Sequence, residues 1–268
     1  MSEAGGGEVE RLVVADAPAA AARAAGLFAE LARRAVAERG RFVVALAGGS
    51  TPKAAYGLLA EDRSLGADVW GATHVWFGDE RCVPPDSPDS NYRMAREALL
   101  GRVPVPEGQV YRIEGERAPE DAAARYDALL RGEAVQGRDQ QAARDASALP
   151  RDPLGAPLFD LVLLGVGPDG HTASLFPGTP GLEERARWAI AVAAPTEVGP
   201  HVPRVSLTFP CLNSARTAAV LATGAEKRGA VGRALGGGAG APPSDVPPSG
   251  RVRGRERTVW VLDEAAAG

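Results

Sequence analysis

The sequence predicts an α/β protein: a single domain with a mainly parallel sheet flanked by helices. Short apolar runs, too dense for half-exposed strands, occur at residues 42–47, 161–165 and 218–222. Such runs are typical of parallel strands buried on both faces. Stretches with helical spacing of apolar residues alternate with them, as in βαβ units. At residues 48–52 a glycine turn joins a strand directly to a helix, which completes one βα unit.

In the amino-terminal half, strands and helices alternate. Gly40 is suited to end the first helix, and Ser50 or Thr51 before Pro52 is suited to start the second. Leu129 and Leu130 are expected to be buried. The predicted strands are 11–14 (an edge strand), 42–47, 74–77 and 110–113, and the predicted helices are 17–38, the one that follows the glycine turn, 92–100 and 119–130.

In the carboxyl-terminal half, strands are predicted at 161–165, 188–193, 205–209, 218–222 and 258–262, the last closing the sheet, with a helix at 226–235. Two segments have no such pattern. Residues 132–157 are polar and dotted with glycine and proline, and residues 236–254 are of low complexity. The first is interpreted as a flexible surface loop or a frayed helix rather than as a second core, and the second as a flexible loop.

Composition narrows the classes of function. The 268 residues carry a net charge of −4 and are 45% hydrophobic, so no general positive field favours nucleic acid or a membrane surface. The amino terminus lacks a signal-peptide pattern, and no apolar run approaches the roughly 20 residues of a membrane helix. Cys82 and Cys211 form no CxxC pair, which favours a reducing, cytoplasmic setting. Protein partners are not indicated.

The glycine turn is the first candidate binding site. Backbone N–H groups at a helix start are unpaired and attract anions such as phosphate. Gly48 and Gly49 allow a close approach of the backbone, and Ser50 and Thr51 can add hydroxyl donors. The turn matches neither a P-loop nor a dinucleotide fingerprint. The structural alternative is a tight turn with a capped helix and no ligand.

The second candidate site follows the apolar run at residues 161–165. Asp169, Gly170 and His171 come after a glycine–proline turn, and the carboxyl ends of strands in open α/β sheets are where ligands bind. His171 is suited to act as a base at neutral pH, and Asp169 could hold its tautomer. The alternative is a structural histidine. His74 and His201 are interpreted as structural, and no metal-ligand spacing is present.

Charged residues at other element ends are candidates for substrate binding, and the cations among them are candidates for an anion pocket. Asp79 and Arg81 follow the strand at 74–77, Arg204 precedes a strand, and Lys227 opens a helix. A guanidinium can grip phosphate with its planar fork. The alternative for each is a solvated charge or a surface ion pair of little consequence.

Taken together, five sequence blocks resemble the 6-phosphogluconolactonase family. They occur in the family's order and cover most of residues 42–267. The most specific signature is GVGPDGHTASLFPG with the upstream DER. The blocks are FVVALAGGSTPKAAYGLLA, VWFGDERCVPPDSPDSNYRMAREALL, FDLVLLGVGPDGHTASLFPG, RVSLTFPCLNSARTAAVLATGAEKRGAV and TVWVLDEAAA.

The resemblance implies a cytoplasmic hydrolase of the pentose phosphate pathway that converts 6-phospho-D-glucono-1,5-lactone to 6-phosphogluconate without a metal or other cofactor. It implies a Rossmann-like sheet of the type shared with glucosamine-6-phosphate deaminase and ribose-5-phosphate isomerase. His171 matches the family's general base. The positions that match its phosphate and sugar site are Gly49, Ser50, Arg81, Arg204 and Lys227.

The sequence departs from the family pattern at residues 132–157, which are longer than expected, and at 236–254, which could alter the rim of the site. Two rival functions remain open. A glucosamine-6-phosphate deaminase would share the glycine turn and the Asp-Gly-His block, but that family has tyrosine where this chain has Arg81. A sugar-phosphate-sensing regulator would carry a helix-turn-helix, for which the short polar amino terminus leaves no room.

Overall fold

The computed structural model describes residues 7–135, 148–153, 155–236 and 245–268. Its strands are β1 (Glu8–Val14), β2 (Phe42–Leu46), β3 (Thr73–Phe77), β4 (Asp79–Arg81), β5 (Leu161–Gly165), β6 (Ala189–Val192), β7 (Arg204–Leu207), β8 (Thr217–Ala222) and β9 (Arg257–Asp263). Its α-helices are α1 (Ala17–Arg39), α2 (Ser50–Glu61), α3 (Ala67–Gly71), α4 (Asn91–Ala95), α5 (Pro119–Leu130), α6 (Phe209–Leu212), α7 (Arg228–Gly236) and α8 (Glu264–Ala267).

Six strands form a parallel sheet in the order β1-β9-β8-β5-β2-β3. Because side chains alternate across a strand, β9 contributes to apolar clusters on both faces. Val259 and Val261 share a cluster with the buried face of α1, whereas Trp260 and Leu262 share one with α7. Burial on both faces explains why these strands appear in the sequence as continuous apolar runs. The predicted α/β class is confirmed.

Most predicted elements are confirmed, with ends that move by up to three residues. Gly40 follows α1 in the left-handed conformation, with φ of 71°, and its N–H donates to the carbonyl of Val36. Leu129 and Leu130 in α5 are buried as expected. The helix predicted at 92–100 consists of α4 followed by a π-helical turn, Arg96–Leu100.

A second, three-stranded antiparallel sheet has the order β4-β7-β6. The sequence predicts β6 and β7 as strands but does not predict this separate sheet, and β4 is not predicted. The pairing of β4 with β7 places Arg81 directly opposite Arg204. Helix α5 packs against β6 and β7. This small sheet therefore brings two distant cations together beside the larger sheet.

Two expectations are wrong in detail, and a third is confirmed only in part. The strand predicted at 110–113 forms only an isolated bridge, in which the N–H of Tyr111 donates to the carbonyl of Val75. Strand β9 does not close the sheet but lies between β1 and β8, so that β1 and β3 are the edges. Helix α2 does start at Ser50, but its cap is Gly49, and within the described residues no side chain caps it.

The two segments predicted as flexible include residues 136–147, 154 and 237–244, which lie outside the described residues. Within the second segment, Pro248–Arg251 forms a short 3₁₀ turn. There Pro248, Ser249 and Gly250 are buried rather than exposed. None of the helices in the described part of the chain is long and apolar enough to cross a membrane.

Candidate active site

A cavity of about 220 Å³ lies beyond the carboxyl ends of β2, β3, β5 and β8. Strand β2 lies between β3 on one side and β5 on the other. After β2 the chain first continues to β3 and only later returns to β5 on the opposite side, so the strand order reverses between β2 and β5. In open α/β sheets such a switch point leaves a crevice that binds ligands. Nine of the predicted site residues line the cavity: Gly48, Gly49, Ser50, Thr51, Asp79, Arg81, His171, Arg204 and Lys227.

The glycine turn lies between β2 and the first turn of α2. Gly49 has φ of 104°, a conformation that only glycine adopts without strain. Gly48 lies against the Asn91 side chain, and a Cβ at Gly48 would overlap it. The Thr51 hydroxyl forms a hydrogen bond with that of Thr223, at 2.8 Å, and so joins the start of α2 to the residue that follows β8. The turn is therefore held in a shape that presents backbone to the cavity.

Asp169 and His171 form a hydrogen-bonded pair. The His171 Nδ1 lies 2.6 Å from Asp169 Oδ1, and the same oxygen accepts the His171 backbone N–H at 3.0 Å. Burial alone would raise the pKa of Asp169, but the hydrogen bonds and charge of His171 outweigh it, so the pKa lies below its usual value. An ionised Asp169 fixes the tautomer with the proton on Nδ1, which leaves Nε2 as the acceptor.

Asp169 and Gly170 do not line the cavity themselves. Gly170 has φ of 92°, and its carbonyl accepts the Ser249 backbone N–H at 3.0 Å. A Cβ on Gly170 would lie 2.5 Å from the Cβ of Pro247. Pro247 and Ser249 thus contact the turn that carries His171, and none of the described residues 245–254 lines the cavity.

Among the described residues, the cationic side chains of Arg81, Arg204 and Lys227 line the cavity. Arg204 is only 3% exposed. Its burial and then the neighbouring Arg81 lower the pKa of Arg204. Within the described residues, the Nε atoms of Arg81 and Arg204 are both buried without a hydrogen-bond partner. Burial also lowers the pKa of Lys227. Clustered cations with unused donors and costly burial are what a site for an anion requires.

Asn91 is a functional candidate that the sequence analysis missed, and Glu80 anchors the start of the helix that carries it. Asn91 lines the cavity, and its amide donates to the carbonyl and the carboxylate of Asp79. Glu80 accepts hydrogen bonds from the backbones of Arg81, Asn91 and Tyr92 and from the Ser90 hydroxyl. Burial raises the pKa of Glu80, although these hydrogen bonds oppose the shift. The sequence offered one signal for this helix start: Ser90 directly precedes Asn91, and serine commonly caps a helix.

No group of three histidine, cysteine or acidic side chains in the described ranges is arranged to hold a metal ion. His74 and His201 do not line the cavity. His74 contacts the Tyr111 hydroxyl, and His201 contacts the carbonyl of Pro195. The interpretation of these two histidines as structural stays a prediction.

Curated proteins are similar in sequence to this chain over most of its length. The 6-phosphogluconolactonase of Mycobacterium tuberculosis is 38% identical over 242 residues, covering 87% of each chain. The chloroplastic 6-phosphogluconolactonase 3 of Arabidopsis thaliana is 35% identical over 239 residues, covering 89% of this chain and 68% of the relative.

Among solved structures, the 6-phosphogluconolactonase of Trypanosoma brucei matches with a TM-score of 0.81 and 32% identity, covering 97% of this chain and 98% of that one. A monomeric glucosamine-6-phosphate deaminase matches with a TM-score of 0.72 at 20% identity, covering 97% and 98% of the two chains, which shows a shared fold. The family profile described as "Glucosamine-6-phosphate isomerases/6-phosphogluconolactonase" matches residues 15–260. The chain therefore belongs to the glucosamine-6-phosphate isomerase/6-phosphogluconolactonase family.

Proposed function

We propose that this protein hydrolyses 6-phospho-D-glucono-1,5-lactone to 6-phosphogluconate, a step of the oxidative pentose phosphate pathway. One observation carries the proposal: the imidazole of His171, oriented by Asp169, lines the same cavity as Arg81, Arg204 and Lys227. A base and an anion site in one cavity suit a substrate with a phosphate at one end and a reactive carbonyl at the other. Relatives named 6-phosphogluconolactonase support the assignment.

His171 acts as the general base in this proposal. Its Nε2 takes a proton from water while the water oxygen forms a bond to the lactone carbonyl carbon. The ring C–O bond then breaks, and the leaving ring oxygen receives the proton from His171. Ionised Asp169 stabilises the imidazolium in between. General-base help of this kind is worth about 10²–10⁴-fold in rate.

The cations hold the phosphate and so position the ring. Arg81, Arg204 and Lys227 replace lost hydration with charge-assisted hydrogen bonds to the phosphate, which uses the unpaired Nε atoms of the two arginines. Binding energy from this remote group orients the carbonyl toward the water. Gly48, Gly49, Ser50 and Thr51 supply backbone and hydroxyl donors for the sugar or for charge that develops on oxygen. Because a lactone carbonyl is already electrophilic, the proposed reaction uses no metal or other cofactor.

We further propose that the whole chain is one catalytic domain and that it works in the cytoplasm. The two cysteines are free, with Cys211 buried, which suits a reducing compartment. The plant relative named chloroplastic acts in another compartment, so location is tested directly by cell fractionation. We expect neither nucleic acid nor membrane as a partner.

Hydrolysis of freshly generated lactone, coupled to 6-phosphogluconate dehydrogenase, tests the function. The lactone also opens spontaneously, so a matched reaction without protein sets the background. We expect a rate that rises with protein concentration and falls to near background in His171→Ala. A wild-type rate equal to background would reject the proposal.

Glucosamine-6-phosphate deamination is the rival activity within the family, and the relatives at 35% identity or more do not favour it. Ammonia release from glucosamine 6-phosphate tests it in the same preparation. Ammonia without lactone hydrolysis would reverse the assignment. Binding of sugar phosphates without either reaction would indicate a sensor.

A further inference from the structure

The turn that carries His171 is tied to two other elements by one residue, Ser174. The Ser174 hydroxyl donates to Asp79 Oδ2 at 2.6 Å, and the Ser174 backbone N–H donates to the Ser206 hydroxyl at 3.1 Å. Asp79 belongs to β4, and Ser206 belongs to β7. All three residues are buried, with Ser174 and Ser206 at 0% exposure. A short bond from a hydroxyl to a buried carboxylate is among the stronger hydrogen bonds in proteins.

The backbone next to Ser174 is strained. Ala173 has φ of 48°, and among the described residues it is the only one other than glycine with a positive φ. Ala173 also lines the cavity, between His171 and Ser174 in the chain. Such a conformation persists only where the surroundings hold it. The two anchors of Ser174, together with the Thr172 hydroxyl that donates to the carbonyl of Gly165 at 2.8 Å, provide this hold.

Asp79 is held from the opposite side as well. The Asn91 amide donates to Asp79 Oδ1 at 3.2 Å, and the Asn91 side chain lies against Gly48. Both carboxylate oxygens of Asp79 therefore have protein donors. Through Asp79, a single buried carboxylate connects the His171 turn, the strand that bears Arg81 and the glycine turn.

We propose that Ser174 is a positioning residue, which sets the distance between the base His171 and the cations that hold the substrate. This rests on the proposed function, and it adds a role for a side chain that touches neither the reacting atoms nor the phosphate. Arg81 and Arg204 are held opposite one another by the backbone ladder of β4 and β7, which does not use the Ser174 hydroxyl. The hydrogen bond between Asp169 and His171 does not involve Ser174. Loss of the Ser174 hydroxyl thus loosens the turn without removing the base or the phosphate site.

Ser174→Ala tests the proposal. We expect kcat to fall about 10- to 100-fold, because small misplacements of a catalytic group cost this much. The KM for the lactone stays within about threefold, since the cations are unmoved, and the pH profile of kcat/KM keeps its shape, since Asp169 still holds His171.

Ser214→Ala is the matched control. Ser214 is 1% exposed, and its hydroxyl donates to the carbonyls of Cys211 and Pro157 at 2.6 and 2.9 Å, away from the cavity. This control should lower the melting temperature as Ser174→Ala does but leave kcat within about twofold. Equal kcat values in the two variants, or a fall in Ser174→Ala that lies in KM alone, would overturn the proposal. Should Ser174→Ala not fold, Ser206→Ala loosens the same turn from β7, and the same outcomes apply.

A readout that needs no turnover separates this proposal from the proposed function. The chain has 3 histidines, so the ring signals in a nitrogen-15 NMR spectrum are few, and His171→Ala assigns the relevant one. We expect the His171 signal to shift or broaden in Ser174→Ala and to stay in place in Ser214→Ala. An unmoved His171 signal in Ser174→Ala would reject the positioning role, whether or not the protein hydrolyses the lactone.

Discussion

Gly170→Ala should destabilise the protein through two separable effects. The first is backbone strain, because φ at Gly170 is 92°, and an L-residue there costs about 1–2 kcal/mol. The second is overlap, because the new Cβ would lie 2.5 Å from the Cβ of Pro247. Overpacking of this kind costs about 1–3 kcal/mol. The free energy of unfolding should therefore fall by about 2–5 kcal/mol.

Gly40→Ala isolates the first effect. Gly40 has φ of 71°, but a Cβ there would meet nothing within 4 Å. This variant should lose only the strain energy, about 1–2 kcal/mol. Gly57→Ala, inside α2 and also with nothing within 4 Å, should instead gain about 0.5–1 kcal/mol. The three variants replace the same hydrogen by the same methyl group.

Thermal unfolding followed by circular dichroism measures the three variants, and each kcal/mol corresponds to about 2–4 °C for a chain of this size. Turnover is measured below all melting temperatures. Gly170→Ala should also lose at least about tenfold in kcat, because the displaced turn carries His171. If Gly170→Ala melts together with Gly40→Ala, the contact with Pro247 is not rigid. If it melts earlier but keeps full turnover, the 247–249 segment does not support the catalytic turn.

The remaining predictions concern the charged residues of the cavity. Arg204→Met should raise KM about 10- to 100-fold with a smaller effect on kcat, and an unchanged KM would remove Arg204 from the phosphate site. Asp169→Asn should lower kcat about 10²-fold or more, measured with saturating lactone, because the tautomer of His171 is no longer fixed; full activity would contradict the pairing. Burial lowers the pKa of Lys227, so the folded state binds this proton less tightly than the unfolded chain, and stability should rise as pH increases from the lowered value to the usual lysine value. Melting curves across alkaline pH should show this rise in the wild type and lose it in Lys227→Met.

The sequence alone determined the fold class and the placement of the two central motifs. Strands β2, β5 and β8 are buried on both faces, and a strand in that environment must be apolar along its whole length, so the pattern is visible without the structure. Gly49 and Gly170 adopt positive φ, which only glycine does without strain, so these turns are also recognisable in the sequence.

The segment 110–113, which the sequence predicts as a strand, shows the limit of such patterns. Tyr111 and Ile113 are buried, as in a strand, but Tyr111 stacks its ring on Trp76, and its backbone N–H donates to Val75 in an isolated bridge. Burial and β-propensity are local properties, whereas a ladder needs a partner along the whole segment. Likewise, threonine is a residue type that commonly caps helices. The Thr51 hydroxyl nevertheless forms a hydrogen bond with Thr223, a residue that no local sequence pattern connects to it.

Only the tertiary structure decided how the site is assembled. The pairing of β4 with β7 sets Arg81 opposite Arg204, and the hydrogen bonds of Asp79 to Ser174 and Asn91 join strand β4 to the turn that carries His171 and to helix α4. These contacts bridge residues far apart in the chain, and each of the side chains involved is of a type that is ordinary on a protein surface. Their chemistry comes from burial and mutual distance, and these are properties of the folded chain that residue type and spacing do not contain.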